Sequence, residues 1–152
     1  MKKANALRLL GIVAVVVLAS MTTGCLKATI AGKIEPDPLV LAPTDTTFPG
    51  KLTLTMTGWL AGGTFETVDV QFYNGTTAVQ GLDITGAKVK LLLSPVGKTA
   101  SVDLKDIENL TVPNGLFVDG ALVANKAKFV VKPGTSLGLA DVVIEVGLQK
   151  AN

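Results

Sequence analysis

The chain contains 152 residues, with 14 basic and 12 acidic side chains, no histidine and a single cysteine. This length suits one domain with its own hydrophobic core. The missing histidine excludes Ser-His and Cys-His nucleophile pairs and His-ligated zinc, and a lone cysteine excludes a disulfide within the chain. The hydrophobic fraction of 48% argues against disorder.

The first 24 residues have the layout of a secretory signal peptide. Lys2, Lys3 and Arg8 form a basic start, an apolar run follows over residues 9–19, and small or hydroxyl residues lead to Gly24. This order is typical of export signals. A membrane-spanning helix is the alternative, but polar residues weaken the last third of the uncharged window. We predict a helical signal segment over residues 1–24.

The stretch "SMTTGC", which ends in Gly24-Cys25, resembles the lipobox of bacterial lipoproteins. In that family the cysteine thiol receives diacylglycerol, a peptidase cuts before the cysteine, and the new amine is usually acylated. The resemblance implies that Cys25 carries fatty acyl chains, such as palmitate, and anchors the mature protein to a membrane. Thr22 stands where the family prefers Leu, and the alternative is an ordinary cut after Ala19 that leaves a free thiol.

Leu26 bears on the membrane that holds the anchor. In Gram-negative members of the family, an Asp after the cysteine tends to retain the protein at the inner membrane. Leu26 therefore implies an outer-membrane lipoprotein that faces the periplasm or the cell exterior.

Removal of the signal changes the charge balance. Three of the 14 basic side chains leave with it, so eleven remain against 12 acidic ones and the net charge becomes −1. Every remaining basic residue is Lys. With neither a basic excess nor an Arg to read phosphates or base edges, we expect no nucleic-acid partner.

Residues 25–50 differ from the rest of the mature chain. The segment "LKATIAGKI" resembles a strand, whereas "EPDPLVLAPTDTTFPG" carries four prolines. Because proline removes a ladder donor and favours extended backbone, this region is either a tether or an edge strand.

Residues 51–152 alternate between apolar and polar side chains in six segments, and alternation with period 2 predicts half-buried strands. The predicted strands are 51–58, 67–73, 88–93, 99–105, 126–132 and 141–146. The expected inward residues are Leu52, Leu54, Met56, Val68, Val70, Phe72, Val89, Leu91, Leu93, Ala100, Val102, Leu104, Ala127, Phe129, Val131, Val142, Ile144 and Val146.

Turn signals separate these strands. Asn74-Gly75 predicts a hairpin in which both residues take a positive φ, and Asn114-Gly115 and Asp119-Gly120 predict further turns. Short strands at this spacing predict an all-β domain, a single antiparallel sandwich of the immunoglobulin type.

Few residues suggest a chemistry. Asp103, Asp106 and Glu108 form the densest acidic cluster, which is either a set of solvated charges, a weak calcium site or a carboxylate pair for glycoside hydrolysis. Trp59 and Tyr73 are candidate interaction residues, with packing in or beside the core as the alternative for each.

The sequence thus favours a membrane-anchored, non-catalytic envelope module without a cofactor, which contacts an unidentified envelope protein or glycan. The alternative is an extracellular filament subunit that self-associates by β-strand addition, with "LKATIAGKI" and "PLVLAP" as donor segments. A small enzyme would need a deep cleft lined by carboxylates with perturbed pKa values.

Overall fold

The computed structural model describes residues 19–20, 29–58, 63–134 and 139–152. Strands dominate these residues, and the single helical element among them is a 3₁₀ turn at Leu104–Asp106. The strands are β1 (Ala19–Ser20), β2 (Thr29–Glu35), β3 (Leu39–Leu41), β4 (Lys51–Thr57), β5 (Gly63–Asn74), β6 (Thr77–Ala78), β7 (Ile84–Leu93), β8 (Thr99–Asp103), β9 (Phe117–Val118), β10 (Ala121–Leu122), β11 (Lys126–Pro133) and β12 (Val142–Lys150). The all-β prediction is confirmed.

The predicted helical signal segment is described only at its end. Ala19–Ser20 is a strand that pairs with the start of β2, so this part of the segment is extended rather than helical. The other residues of the segment, and Cys25, lie outside the described residues.

The strands form two main sheets and a separate hairpin. The smaller sheet has the order β1-β2-β4-β8, and the larger has the order β3-β12-β11-β5-β6 with β7 also paired to β5. β9 and β10 form the hairpin. β3 runs parallel to β12, so the larger sheet is mixed and the prediction of a purely antiparallel arrangement is wrong at this edge. The chain leaves β2 in one sheet and enters β3 in the other. Because no hairpin joins β3 to β12, their connection does not require an antiparallel pair.

The alternating pattern predicts most of the core correctly. The inward residues expected in β4, β5, β11 and β12 are all buried, as are Leu91, Leu93 and Leu104. Val89, Ala100 and Val102 are only partly buried against the same cluster. The core is one contiguous apolar cluster to which both main sheets contribute.

Gly32 lies at a close approach between the two sheets. A Cβ atom at this position would lie 2.5 Å from Ile144 Cδ1 and 2.8 Å from Val142 Cγ1. A side chain there would have to displace Ile144 and Val142, and its absence lets β2 pack directly against β12 across the core.

The hairpin turns differ in one detail from the sequence expectation. Asn74 pairs with Thr77 as a strand residue, so the two turn residues are Gly75 and Thr76, and only Gly75 takes a positive φ, of 64°. A turn with glycine first matches type II′ rather than the predicted type I′. The Asp119-Gly120 turn does have two positive φ angles, 51° and 76°.

The proline-containing segment is part of the folded domain. Leu39–Leu41 forms β3 beside β12. Phe48 is fully buried, stacked on Phe72 and edge-on to Phe129, with ring centroids 6.2 Å apart in both pairs. The folded domain therefore already includes Thr29, ahead of the predicted boundary at residue 51.

Strand pairing defines two ends of the molecule. At one end Thr29 pairs with Thr57, and Gly63 pairs with Leu93, from which the turn at 94–98 leads into β8. We call this the Thr57 end. At the opposite end of the smaller sheet Glu35 pairs with Lys51, which pairs with Asp103. We call this the Lys51 end.

Candidate functional site

Charged side chains from three neighbouring strands meet at the Lys51 end. The register of β2, β4 and β8 places Glu35, Lys51 and Asp103 side by side on the outer face of the smaller sheet. Lys51 Nζ lies 3.9 Å from Asp103 Oδ1, and Lys33 Nζ lies 3.1 Å from Glu35 Oε1. Exposed pairs at these distances contribute little to stability, so these charges remain free to meet a partner.

These side chains border a cleft of about 330 Å³. Phe48, Pro49 and Gly50 line its apolar part, and Glu35, Lys51, Asp103 and Lys105 supply two negative and two positive charges. The backbone N–H of Leu104 donates to the Gly50 carbonyl at 2.9 Å and fixes one wall. An open cleft with both signs of charge can hydrogen-bond amide and hydroxyl groups of a polar ligand.

A second cleft, of about 270 Å³, lies on the outer face of the larger sheet around Asp69. Asp69 lies where the pairing of β5 with β7 shifts register between Val68 and Val70. Its Oδ1 accepts a hydrogen bond from the Gly86 N–H at 2.7 Å, and its Oδ2 is paired with the Lys132 ammonium. Asp83 and Asp141 also line this cleft.

The electrostatics of this cleft favour an ion pair over proton transfer. Burial alone would raise the pKa of Asp69, but the hydrogen bond from Lys132, the Gly86 N–H and the Lys132 charge outweigh burial and hold that pKa below its ordinary value. The same hydrogen bond and the charge of Asp69 raise the pKa of Lys132. Both groups therefore stay charged near neutral pH.

The predicted acidic cluster is not gathered into one site. Asp103 ends β8 beside Lys51, Asp106 is exposed in the 3₁₀ turn, and Glu108 is exposed where its backbone bridges to Lys88. Within the described residues, no three carboxylate, cysteine or histidine side chains form a group that could hold a metal ion. The geometry gives the calcium prediction no support.

Tyr73 contacts one side chain of its own strand, β5, and one of the neighbouring strand β11. It is half-buried, its hydroxyl donates to Gln71 Oε1 at 3.1 Å, and Lys126 Nζ lies 5.5 Å from its ring centroid. This arrangement is the packing alternative considered above. Trp59 lies outside the described residues, so its role remains a prediction.

The sequence did not reveal either cleft. Alternation places Lys51 and Asp103 on the wet face of their strands, but it does not show that β4 and β8 are neighbours. The Asp69–Lys132 pair likewise depends on the register between β5 and β11. The sequence hinted at the two ion pairs only through opposite charges at outward positions of strands that are distant in the chain.

Comparison with known proteins identifies no family. No protein-family profile matches the chain, and no curated protein matches it. Among solved structures, the chain is similar to Spo0M, a sporulation control protein from Bacillus subtilis, with a TM-score of 0.40 and 12% identity. The match covers 80% of this chain and 49% of that one, so this chain spans about half the length of Spo0M. A likeness of this degree supports no argument about function.

In the part of the chain that the structure describes, no helix is long and apolar enough to cross a membrane.

Proposed function

We propose that this chain is a bacterial envelope lipoprotein that acylated Cys25 attaches to the outer membrane. The observation that carries the proposal is the place of Gly24-Cys25, directly after a basic and apolar segment and four residues ahead of the first residue of β2. Two or three acyl chains on one cysteine anchor a protein firmly, because each buried CH₂ contributes about 0.8 kcal/mol. The cysteine so placed would hold the folded domain close to the membrane surface.

The proposed domain is a non-catalytic binding module, a single sandwich of the immunoglobulin type. The packing of Gly32 against Ile144 between the two sheets supports the sandwich. The mixed charges at the Lys51 end support a binding role, because they offer an envelope protein or glycan both donors and acceptors. The lowered pKa of Asp69 favours a structural ion pair over a general acid, which needs a raised one.

Intact mass of the protein extracted from its native membrane tests the anchor. We expect the wild-type chain to begin at Cys25 with added acyl mass, and Cys25→Ala to lose that mass. Ala19→Leu is the matched control, because a bulky side chain blocks an ordinary cut after residue 19 and leaves the Gly24-Cys25 junction intact. A wild-type product that begins at Ser20 without lipid, and that Ala19→Leu abolishes, would contradict the proposal.

A second candidate function is a filament subunit that assembles by β-strand addition. The observation in its favour is that β1 lies before Cys25 and covers only Thr29 and Ile30 of β2. A cut before Cys25 removes β1 and leaves the outer edge of β2 open for another strand. Against this candidate, both proposed donor segments are already paired within the chain, as β2 with β4 and as β3 with β12.

A further inference from the structure

The turn between β7 and β8 presents an apolar tip to solvent. Val96 is 98% exposed at the tip, and Leu92, shortly before the turn, is 62% exposed. Two hydrogen bonds hold the turn, from the Ser94 N–H to the Gly97 carbonyl at 3.0 Å and from the Gly97 N–H to Ser94 Oγ at 2.8 Å. The valine is therefore displayed on a defined loop.

Single exposed apolar residues are common on protein surfaces, so exposure alone decides nothing. The position of this tip is what indicates a role for it. The Met56 N–H donates to the Lys98 carbonyl at 2.7 Å, which ties the turn to the end of β4, and the adjacent Thr57 pairs with Thr29. The tip and the first residue of β2 therefore lie at the same end of the molecule.

The length of chain before β2 places the anchor at this end. Cys25 precedes Thr29 by four residues, and a fully extended chain spans at most about 3.6 Å per residue. The Cα atom of Cys25 therefore lies within about 14 Å of the Cα atom of Thr29. Acyl chains on Cys25 bring the bilayer surface to within that distance of the Thr57 end.

The two ends of the smaller sheet differ in the number of charged side chains they carry. Residues 55–58 and 92–99 at the Thr57 end contain one charged side chain, that of Lys98, and the exposed Glu66 of β5 also lies at this end, beside Gly134. The Lys51 end carries Glu35, Lys51, Asp103 and Lys105. The tip itself, residues 94–98, has one cation and no carboxylate, so it costs little to bring against anionic headgroups, whereas the charged Lys51 end would lose hydration there.

We propose that the Thr57 end is a membrane-contact surface, with Val96 inserted into the lipid bilayer and the Lys51 cleft directed away from it. This inference rests on the proposed acylation of Cys25. The occupant of the surface is the lipid that the anchor itself enters, and the contact fixes the orientation of the domain so that the cleft faces its partner.

A fluorescent label at the tip tests the contact. Acylation occupies the thiol of Cys25, so Val96→Cys in the acylated protein provides a single reactive thiol. The variant is purified from the membrane, labelled with a polarity-sensitive dye and reconstituted into vesicles of phosphatidylethanolamine and phosphatidylglycerol. In the vesicles we expect blue-shifted emission of the dye. Quenching by aqueous iodide should be several-fold weaker than for a reference sample, the same labelled variant in detergent-free buffer with its lipid anchor removed.

Val118→Cys is the matched control, because Val118 is a valine that is 53% exposed in the β9–β10 hairpin. The chain runs from this hairpin into Lys126 of β11, which pairs with Tyr73 at the end of β5 opposite Gly63. The label at position 118 should stay in water, with iodide quenching unchanged by the vesicles. Equal iodide quenching at positions 96 and 118, in protein whose mass shows an acylated Cys25, would overturn the contact while leaving the anchor in place. A second labelled thiol would instead show that Cys25 is free and that the proposed function fails.

Discussion

At the scale of single residues, Asp69 shows how an irregular strand creates a polar contact. The register shift in β5 brings the Gly86 N–H within 2.7 Å of the Asp69 carboxylate, and Lys132 reaches the same carboxylate from β11. The carboxylate thus has a backbone donor and a cation, and together they outweigh the cost of its partial burial.

Removal of this carboxylate charge should lower stability in a pH-dependent way. Asp69→Asn should reduce the free energy of unfolding by about 0.2–1 kcal/mol at pH 7, the range for solvent-exposed ion pairs. Because the folded-state pKa of Asp69 is lowered, its contribution is present above the ordinary value of 3.8 and is lost as the pH falls through the folded-state value. Because the pKa of Lys132 is raised, its contribution is present below 10.5 and is lost as the pH rises through the folded-state value.

Urea unfolding at pH 3, 7 and 11 measures this difference. Asp83→Asn, at an exposed carboxylate of the same cleft, is the control and should change stability less at pH 7. A deficit of Asp69→Asn that is the same at pH 3 and pH 7 would show that the ion pair does not stabilise the fold.

At the scale of secondary-structure elements, β2 is the strand whose edge the proposed cut before Cys25 would change. It pairs with β4 along its whole length from Thr29 to Glu35, but β1 covers only its first two residues. Lys33 and Glu35 point outward on this strand, and charged side chains at an edge discourage further pairing.

The oligomeric state should therefore show whether the outer edge of β2 pairs with a strand of a second chain. For the filament candidate, Cys25→Ser chains that begin at residue 25 should form oligomers whose size grows with concentration, whereas chains that begin at residue 19 and retain β1 should stay monomeric. Size-exclusion chromatography with light scattering measures both. Monomers of equal mass from the two chains over a tenfold concentration range would rule out strand addition at this edge and leave the anchored module.

At the scale of the whole molecule, Phe48 joins the proline-containing segment to the larger sheet. It is fully buried between Phe72 of β5 and Phe129 of β11, although four prolines surround it in sequence. A segment that supplies such a residue is part of the core, and the domain depends on it for packing.

Truncation of this side chain should be costly. Phe48→Ala should lower the free energy of unfolding by about 3–5 kcal/mol, because it leaves a cavity among close-packed rings. Phe117→Ala, at a partly buried ring of the β9–β10 hairpin, is the control and should cost less. Chemical unfolding followed by circular dichroism measures both, and a loss at Phe48 no greater than that at Phe117 would contradict the packing.

The sequence by itself determined most of the core and six of the strands, β4, β5, β7, β8, β11 and β12. Side chains alternate across a strand with period 2, so "KLTLTMT" and "KAKFVVK" specify their buried faces without reference to any neighbour. The proposal of an export signal that ends at Cys25 likewise rests on the sequence alone, because such a signal is read as a linear segment.

Only the tertiary structure decided which strands are neighbours, and the candidate site depends on that choice. The charges of Lys51 and Asp103 meet because β4 pairs with β8, and Asp69 meets Lys132 because β5 pairs with β11. The parallel approach of β3 to β12 and the burial of Phe48 likewise depend on contacts between distant segments. Local alternation specifies the faces of a strand, whereas register and sheet order are set by packing of the whole core around close contacts such as that of Gly32 with Ile144.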